Sequence, residues 1–254
     1  MRYIVISPWH KEEVKEAFVE AWKLDTIPKW LLLEQDVDKV GCANMKNQLI
    51  SKAYAMGAEV IGVIDSDCHP VNDMNLQDWI DLHIEALEDQ PVEMFEAVTN
   101  PQSRGTPYYN RTIMMPVAAS IGFWEGVPDW DAPSQLVRGD EEMIFNREVI
   151  FGKYFAFSGM NFAFKKEWID CAQLIDVERM DDIWMGLIWQ KIAYEKGYCF
   201  NLTGPLVNHT RQTNVWNNLK VEAEHLKTNE TLWQKVHQAP RGLSYNSLKL
   251  YLGI

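Results

Sequence analysis

Short apolar runs alternating with amphipathic segments organise the first part of this chain. Tyr3 to Ser7 is one such run, ended by Pro8, and Val60 to Ile64 is another, apolar at every position but Gly62. Continuous runs of this length suit central strands of a parallel sheet that is covered on both faces. Lys29 to Leu33 supplies a further strand and closes in Glu34-Gln35-Asp36. Between them, Glu12 to Trp22 places Val14, Phe18, Ala21 and Trp22 on one helical face. Asn44 to Met56 turns Leu49, Ala53 and Met56 inward and stops at Gly57, and Asp78 to Leu87 is a third amphipathic helix. The order β-α-β-α-β, with right-handed crossovers, predicts half of a doubly wound, mostly parallel sheet.

The second part is less regular. Residues 100–116 are rich in Pro, Gly, Tyr and Arg and read as a long loop. A turn follows at Val127-Pro128-Asp129-Trp130-Asp131, then an apolar stretch from Tyr154 to Phe164. Asp181 to Glu195 is a helix with Trp184, Leu187, Ile188 and Ile192 on one face. The fold class read from this pattern is α/β with a mixed second half. The domain reading is a single unit over 1–254, with 1–90 as a nucleotide-binding half and 91–254 as an acceptor and sugar half.

Composition changes this picture only modestly. The chain has 254 residues, enough for a sizeable core, and its 47% apolar and 24% charged residues are ordinary for a globular protein. No apolar run approaches the ~18 residues a membrane helix requires, and the N-terminus enters a strand at once, so no leader and no membrane association are expected. Four scattered cysteines (Cys42, Cys68, Cys171, Cys199) lack metal-ligand spacing and point to a reducing, cytoplasmic setting. A net charge of −12 argues against a broad basic surface for nucleic acid, though not against a local basic groove.

The candidate chemistry begins at Asp65-Ser66-Asp67, which closes the strand Val60 to Ile64. Two like charges at the carboxyl end of a buried strand are costly unless something positive sits there. That edge is also where open α/β sheets bind ligands. A divalent ion bridging a nucleotide diphosphate needs hard oxygen ligands of this kind. The bland alternative is a solvated acidic turn.

Four segments occur in order: Ile64-Asp65-Ser66-Asp67-Cys68, Val127 to Val137 (VPDWDAPSQLV), Ser158 to Phe164 (SGMNFAF) and Arg179-Met180-Asp181-Asp182-Ile183-Trp184. Together with Gly204-Pro205, His209 and Asn217 to Lys220, they resemble the reversibly glycosylated polypeptide family of plants, which includes UDP-arabinopyranose mutases. The resemblance implies a GT-A-type nucleotide-sugar fold, a UDP-sugar ligand, and Mn²⁺ or Mg²⁺ at the acidic triplet. It assigns Asp65 and Asp67 to the metal, with Ser66 in place of a middle aspartate. Asp36 falls where a carboxylate can face the nucleobase, or it is a turn residue. Pro8 joins the donor-binding set. Lys46 and Asn47 could hold base or phosphate, the alternative for Lys46 being a surface lysine. Gly159 and Asn161 would let backbone and an amide approach the donor sugar, or form a tight turn. His209 completes the metal site or is structural.

Asp181 and Asp182 are the catalytic carboxylates in this reading, with one capping the helix and the other facing the reaction centre. The resemblance favours Asp182 as the reactive one. In the mutases an arginine before a proline carries the sugar covalently. Here Arg111 precedes Pro116 with a spacing one residue too long, and Ile121 stands where the family has a histidine. These departures leave donor binding intact and favour a metal-dependent glycosyltransferase using a UDP-sugar. The alternatives are a UDP-sugar mutase and a non-catalytic UDP-sugar-binding protein. The acceptor is open: a small molecule, a protein, or a hydroxymethylated DNA base. Arg104 to Arg111, with Tyr108 and Tyr109, and Arg211 to Lys220, with Trp216, mix cations and stacking surfaces suited to a nucleic-acid strand.

Overall fold

The computed structural model describes residues 1–94, 104, 112–139, 141–211 and 213–254. The elements in order are β1 (Tyr3–Trp9), α1 (Glu12–Ala21), β2 (Leu31–Gln35), α2 (Cys42–Ala55), β3 (Val60–Ile64), β4 (Cys68–Pro70), α3 (Leu76–Ala86), β5 (Gln90–Glu93) and β6 (Thr112–Met115). They continue as β7 (Val117–Ile121), β8 (Trp124–Gly126), α4 (Ala132–Arg138), β9 (Val149–Ile150), β10 (Asn161–Lys165), α5 (Asp181–Glu195), β11 (Cys199–Asn201), β12 (Val207–His209), α6 (Val215–Gln238) and α7 (Tyr245–Leu252).

A seven-stranded sheet runs in the order β2-β1-β3-β10-β7-β11-β9. Strands β2, β1, β3, β7 and β11 point one way, and β10 and β9 point the other. The sheet is therefore mostly parallel, as a doubly wound α/β fold of GT-A type requires. Its mixed character comes from β10, which inserts beside β3 in antiparallel register, with Asn161 opposite Ile64. A small sheet, β4-β12-β8, sits past the carboxyl end of β3.

Side chains alternate across the main sheet and divide the core into two layers. Ile4, Ile6, Ile61 and Val63 pack with Leu49 of α2 and Trp189 of α5 on one face. Val5, Val60 and Ile64 pack with Phe18 of α1 and Trp79 and Ile80 of α3 on the other. Burial on both faces explains why β1 and β3 read as unbroken apolar runs.

Several boundaries differ from the sequence expectation. Strand β1 runs through Pro8 to Trp9. Val5 donates toward the β2 side, to Trp30 O, so residues an even number away share that side and the ring nitrogen of Pro8 faces β3. Pairing with β3 has already stopped at Ile6, so no ladder bond is lost. Helix α2 starts at Cys42 rather than Asn44, and α3 at Leu76 behind an Asn75–Asp78 capping box. Thr112–Met115 is strand β6 rather than loop, paired with β5; residues 100–103 and 105–111 of that expected loop lie outside the described residues. In the apolar stretch 154–164, only the part from Asn161 onward is strand. Among the described residues, no helix is long and apolar enough to cross a membrane.

Candidate functional site

The carboxyl end of β3 delivers Asp65 beside Lys46 of α2, with Nζ 2.6 Å from Oδ1. Lys46 is buried, contrary to a surface lysine, and its Nζ also donates to Gly159 O at 2.9 Å. The counter-charge that a buried acidic strand end demands thus comes from within the chain. Burial alone would push this ammonium down, but the surrounding acidic groups, Asp65 foremost and with it Cys42 and Asp181, together outweigh burial and hold Lys46 well above the usual lysine value. Burial in turn pushes Asp65 up while Lys46 pulls it down. At 2.6 Å, the contact is that of an ammonium and a carboxylate.

Gly159 links this pair to the second acidic motif. Its N–H donates to Asp182 Oδ2 at 2.7 Å, and a Cβ at this position would lie 2.9 Å from Asp182 Cβ. Only glycine allows that approach. Asp182 also accepts from Ile183 N–H at 2.8 Å. The cap of α5 is Met180, so the expectation that Asp181 would cap the helix is not met. Asp182 holds the N–H groups of Gly159 and Ile183. Burial first, and the charge of Asp181 second, push Asp182 up to about 7. Burial raises Asp181 as well, against the pull of Lys46, of the backbone N–H groups of Asp181 and Asp182, and of Arg179.

Two cavities, of about 520 and 770 Å³, meet here and share Gly41, Cys42, Asp65 and Arg211 in their walls. Pro8, Trp9, Asp36, Ser66 and Asp67 line the first. Lys46, Asp129, Trp130, Arg179, Asp181 and Asp182 line the second. Asp36 holds the turn before α2, accepting from Val40 N at 2.8 Å and Gly41 N at 3.0 Å, and still faces the first cavity. Helix α2 has Gly41 as its N-cap and so no side chain to cap it, which leaves its first N–H groups at the junction.

Asp67 is flanked by Arg211 Nη1 at 3.7 Å and His209 Nε2 at 4.0 Å. His209 Nδ1 lies 2.8 Å from Val127 O. A carbonyl only accepts, so Nδ1 carries the hydrogen and Nε2 is directed toward Asp67. Thr210 ties the adjoining loop down, donating N–H and Oγ1–H to Asp67 O at 3.0 and 2.9 Å.

Two of the expected ligand-binding amides are committed elsewhere. Asn47 exchanges bonds with the Leu174 backbone at 2.8 and 2.7 Å, which pins α2 to the loop before α5. Asn161 is fully buried. Its Nδ2 donates to Phe123 O and Pro205 O, and its Oδ1 lies within hydrogen-bond distance of Trp79 Nε1 and His83 Nε2. Asn161 thus has no capacity left for a sugar, and Asn47, which keeps one N–H and one lone pair, lines neither cavity. Arg111 lies outside the described residues.

Sequence reasoning missed Arg179, Glu222, Asp129 and Arg211 as parts of this site. Arg179 has φ +70°, in the left-handed region, a conformation that costs about 1–3 kcal/mol and persists where surroundings enforce it. Its Nε and Nη2 each lie 2.8 Å from Glu222 Oε1. Glu222, on α6 and 1% exposed, also accepts Ala132 N–H at 2.6 Å. Arg179 and Asp129 stand inside segments that carried the family resemblance. Glu222 gives no linear signal, because a glutamate in a polar helix reads as solvated.

A family model described as "Reversibly glycosylated polypeptide" matches residues 42–239, which include the acidic triplet, both carboxylates of the second motif, His209 and Glu222. Over 181 residues the chain is 29% identical to the probable UDP-arabinopyranose mutase 1 of Pisum sativum, covering 64% of this chain and 50% of that protein. Over 195 residues it is 28% identical to UDP-arabinopyranose mutase 3 of Arabidopsis thaliana, covering 69% and 52%. Over 130 residues it is 32% identical to UDP-arabinopyranose mutase 1 of the same plant, covering 47% and 36%. The chain spans about half the length, or less, of these curated relatives.

Proposed function

The chain belongs to the reversibly glycosylated polypeptide family, and from that premise we propose that it binds a UDP-sugar in the two-part cleft and interconverts the ring forms of the sugar. The continuity of the cleft across Asp65 supports this most strongly. A nucleotide-sugar has a nucleoside, a diphosphate and a sugar in sequence, and the cleft offers a lobe, an acidic junction and a second lobe. Both volumes fall within the ~300–1,000 Å³ range of small-molecule sites.

In this reading the nucleoside lies against Pro8, Trp9 and Asp36. The diphosphate crosses at the uncapped start of α2, facing Arg211. The sugar enters the second lobe beside Asp129, Asp181 and Asp182. Asp65 and Asp67 suit a Mn²⁺ or Mg²⁺ ion, because such ions combine one or two carboxylates with substrate phosphates. Among the described residues no group of three His, Cys, Asp or Glu side chains is arranged for a metal, so phosphate oxygens would have to complete the shell. His209, with its Nδ1–H fixed on Val127 O and its Nε2 directed to Asp67, would orient that carboxylate rather than complete a three-residue metal group. When bound, the ion would stabilise the charge of the departing diphosphate.

The chain's own residues account for the rest. The bond from the anomeric carbon to the diphosphate breaks with its electron pair leaving on UDP. The anomeric carbon bonds in its place to the arginine that the resemblance makes the sugar carrier, Arg111, which gives up a proton. The ring C–O bond then opens, a different hydroxyl closes onto the same carbon, and UDP displaces the arginine, which regains its proton, so atoms balance without a co-reactant. Reclosure requires a proton to leave one sugar oxygen and reach another. Asp182, pushed up to about 7 by burial and Asp181, can hold or release that proton at neutral pH. Lys46 and Gly159 keep the two carboxylate motifs in fixed relation. The resemblance assigns sugar carriage to Arg111.

The names of the relatives favour interconversion over transfer to a separate acceptor, and nothing in the described site speaks for a DNA acceptor. The test is incubation with UDP-arabinopyranose and Mn²⁺, with products separated by chromatography. A product of unchanged mass and altered ring form, without net UDP release, is expected. UDP release that depends on hydroxymethylcytosine DNA would restore the transferase reading.

A further inference from the structure

We propose that Arg179 and Asp129 form a hydroxyl-recognition subsite for the substrate's sugar, and that Glu222 is the residue that positions it. The proposal rests on the UDP-sugar reading of the cleft. Glu222 engages the Nε and Nη2 side of the guanidinium at 2.8 Å and leaves the Nη1 side toward the second lobe. Nη1 lies 3.8 Å from Asp129 Oδ1, too far for a hydrogen bond. Among the described residues, no other acceptor is hydrogen-bonded to Nη1.

That gap has the chemistry of a hydroxyl group. An oxygen about 2.8 Å from each atom accepts from Nη1–H and donates to the carboxylate, using both capacities of one O–H. A phosphate oxygen accepts from the arginine but meets Asp129 as a like charge, so the subsite separates sugar from diphosphate. Trp130, next in sequence and in the same wall, adds an apolar face.

Glu222, in the same cavity wall, fixes this arrangement. It is buried, it belongs to α6, and its second oxygen holds the first N–H of α4 at Ala132, three residues after Asp129. One carboxylate thus sets both walls of the gap. The left-handed backbone at Arg179 carries the side chain into this position, with φ +70°.

Calorimetry with UDP and with UDP-arabinopyranose on the full chain tests the proposal. Arg179→Lys and Asp129→Ala should each weaken UDP-arabinopyranose binding about tenfold, the scale of one hydrogen bond to a charged group. UDP binding should stay within about twofold, and the double variant should be little worse than either single, because both partners act on one hydroxyl. Glu222→Gln should raise KM several-fold with kcat retained. Equal weakening of UDP and UDP-arabinopyranose, or no change in either, would overturn the subsite. Asp129 is more than a third exposed and makes no hydrogen bond among the described residues, so its variant keeps the test open if Arg179→Lys fails to fold. Failure of the wild type to bind UDP would instead overturn the nucleotide reading, and the subsite with it.

Discussion

Asp181 and Asp182 begin the same helix, yet their surroundings divide them. Asp182 is buried, accepts from Gly159 and Ile183, and is pushed up to about 7. The folded state therefore binds this proton more tightly than the unfolded chain does. Its contribution is full below the ordinary carboxylate value near 4 and is lost as pH rises toward about 7. Asp182→Asn should gain stability relative to wild type as pH rises through that window, as thermal melts from acid to neutral pH can establish. A difference independent of pH would refute the raised value. Lys46 offers a second test at this scale. Lys46→Met leaves Asp65 without the ammonium 2.6 Å away and should cost about 3–5 kcal/mol in denaturant unfolding; a loss under 1 kcal/mol would mean that water already serves Asp65. The acidic triplet was legible in sequence because an apolar run ended in charge. The roles of Asn47 and Asn161 were not, because their partners, Leu174, Trp79, His83, Phe123 and Pro205, are distant in the chain.

Among the elements, α5 was read with its observed bounds, and β3 likewise, because each carries enough apolar residues to declare itself. Helix α6 was not. Over 24 residues its buried positions are only Asn218, Glu222, Leu232 and Val236, two of them polar, so the apolar stripe that reveals a helix is too sparse. The start of α3 was misplaced because its signal is Asn75, whose carboxamide accepts from Asp78 N–H at 3.0 Å. Asn75→Ala should cost about 1 kcal/mol with no effect on ligand binding. Within α5, a Cβ on Gly186 would collide with Phe157. Gly186→Ala should lower stability by about 1–3 kcal/mol despite the better helix propensity of alanine; a stabilised variant would show that the Phe157 segment yields freely.

For the whole molecule, the α/β class and the first three parallel strands followed from alternation, whereas the order of the later strands did not. Strand β10 reaches β3 only through the long-range register of Asn161 with Ile64, which no local pattern encodes. The cleft inherits a consequence from this architecture. Two cations answer the same acidic triplet at different depths, Lys46 with 4% of its side chain exposed and Arg211 with 57%. Dissolved ions screen exposed charges over a Debye length of about 8 Å at physiological ionic strength and scarcely reach buried ones. Raising salt to about 0.3 M should therefore loosen Arg211 from Asp67 and weaken UDP capture, while the Lys46–Asp65 contact stays intact. Arg211→Ala should flatten the salt dependence of UDP affinity, and an unchanged slope would place the steering charge elsewhere. The mouth of the cleft thus senses the ionic composition of the solution, and its floor does not.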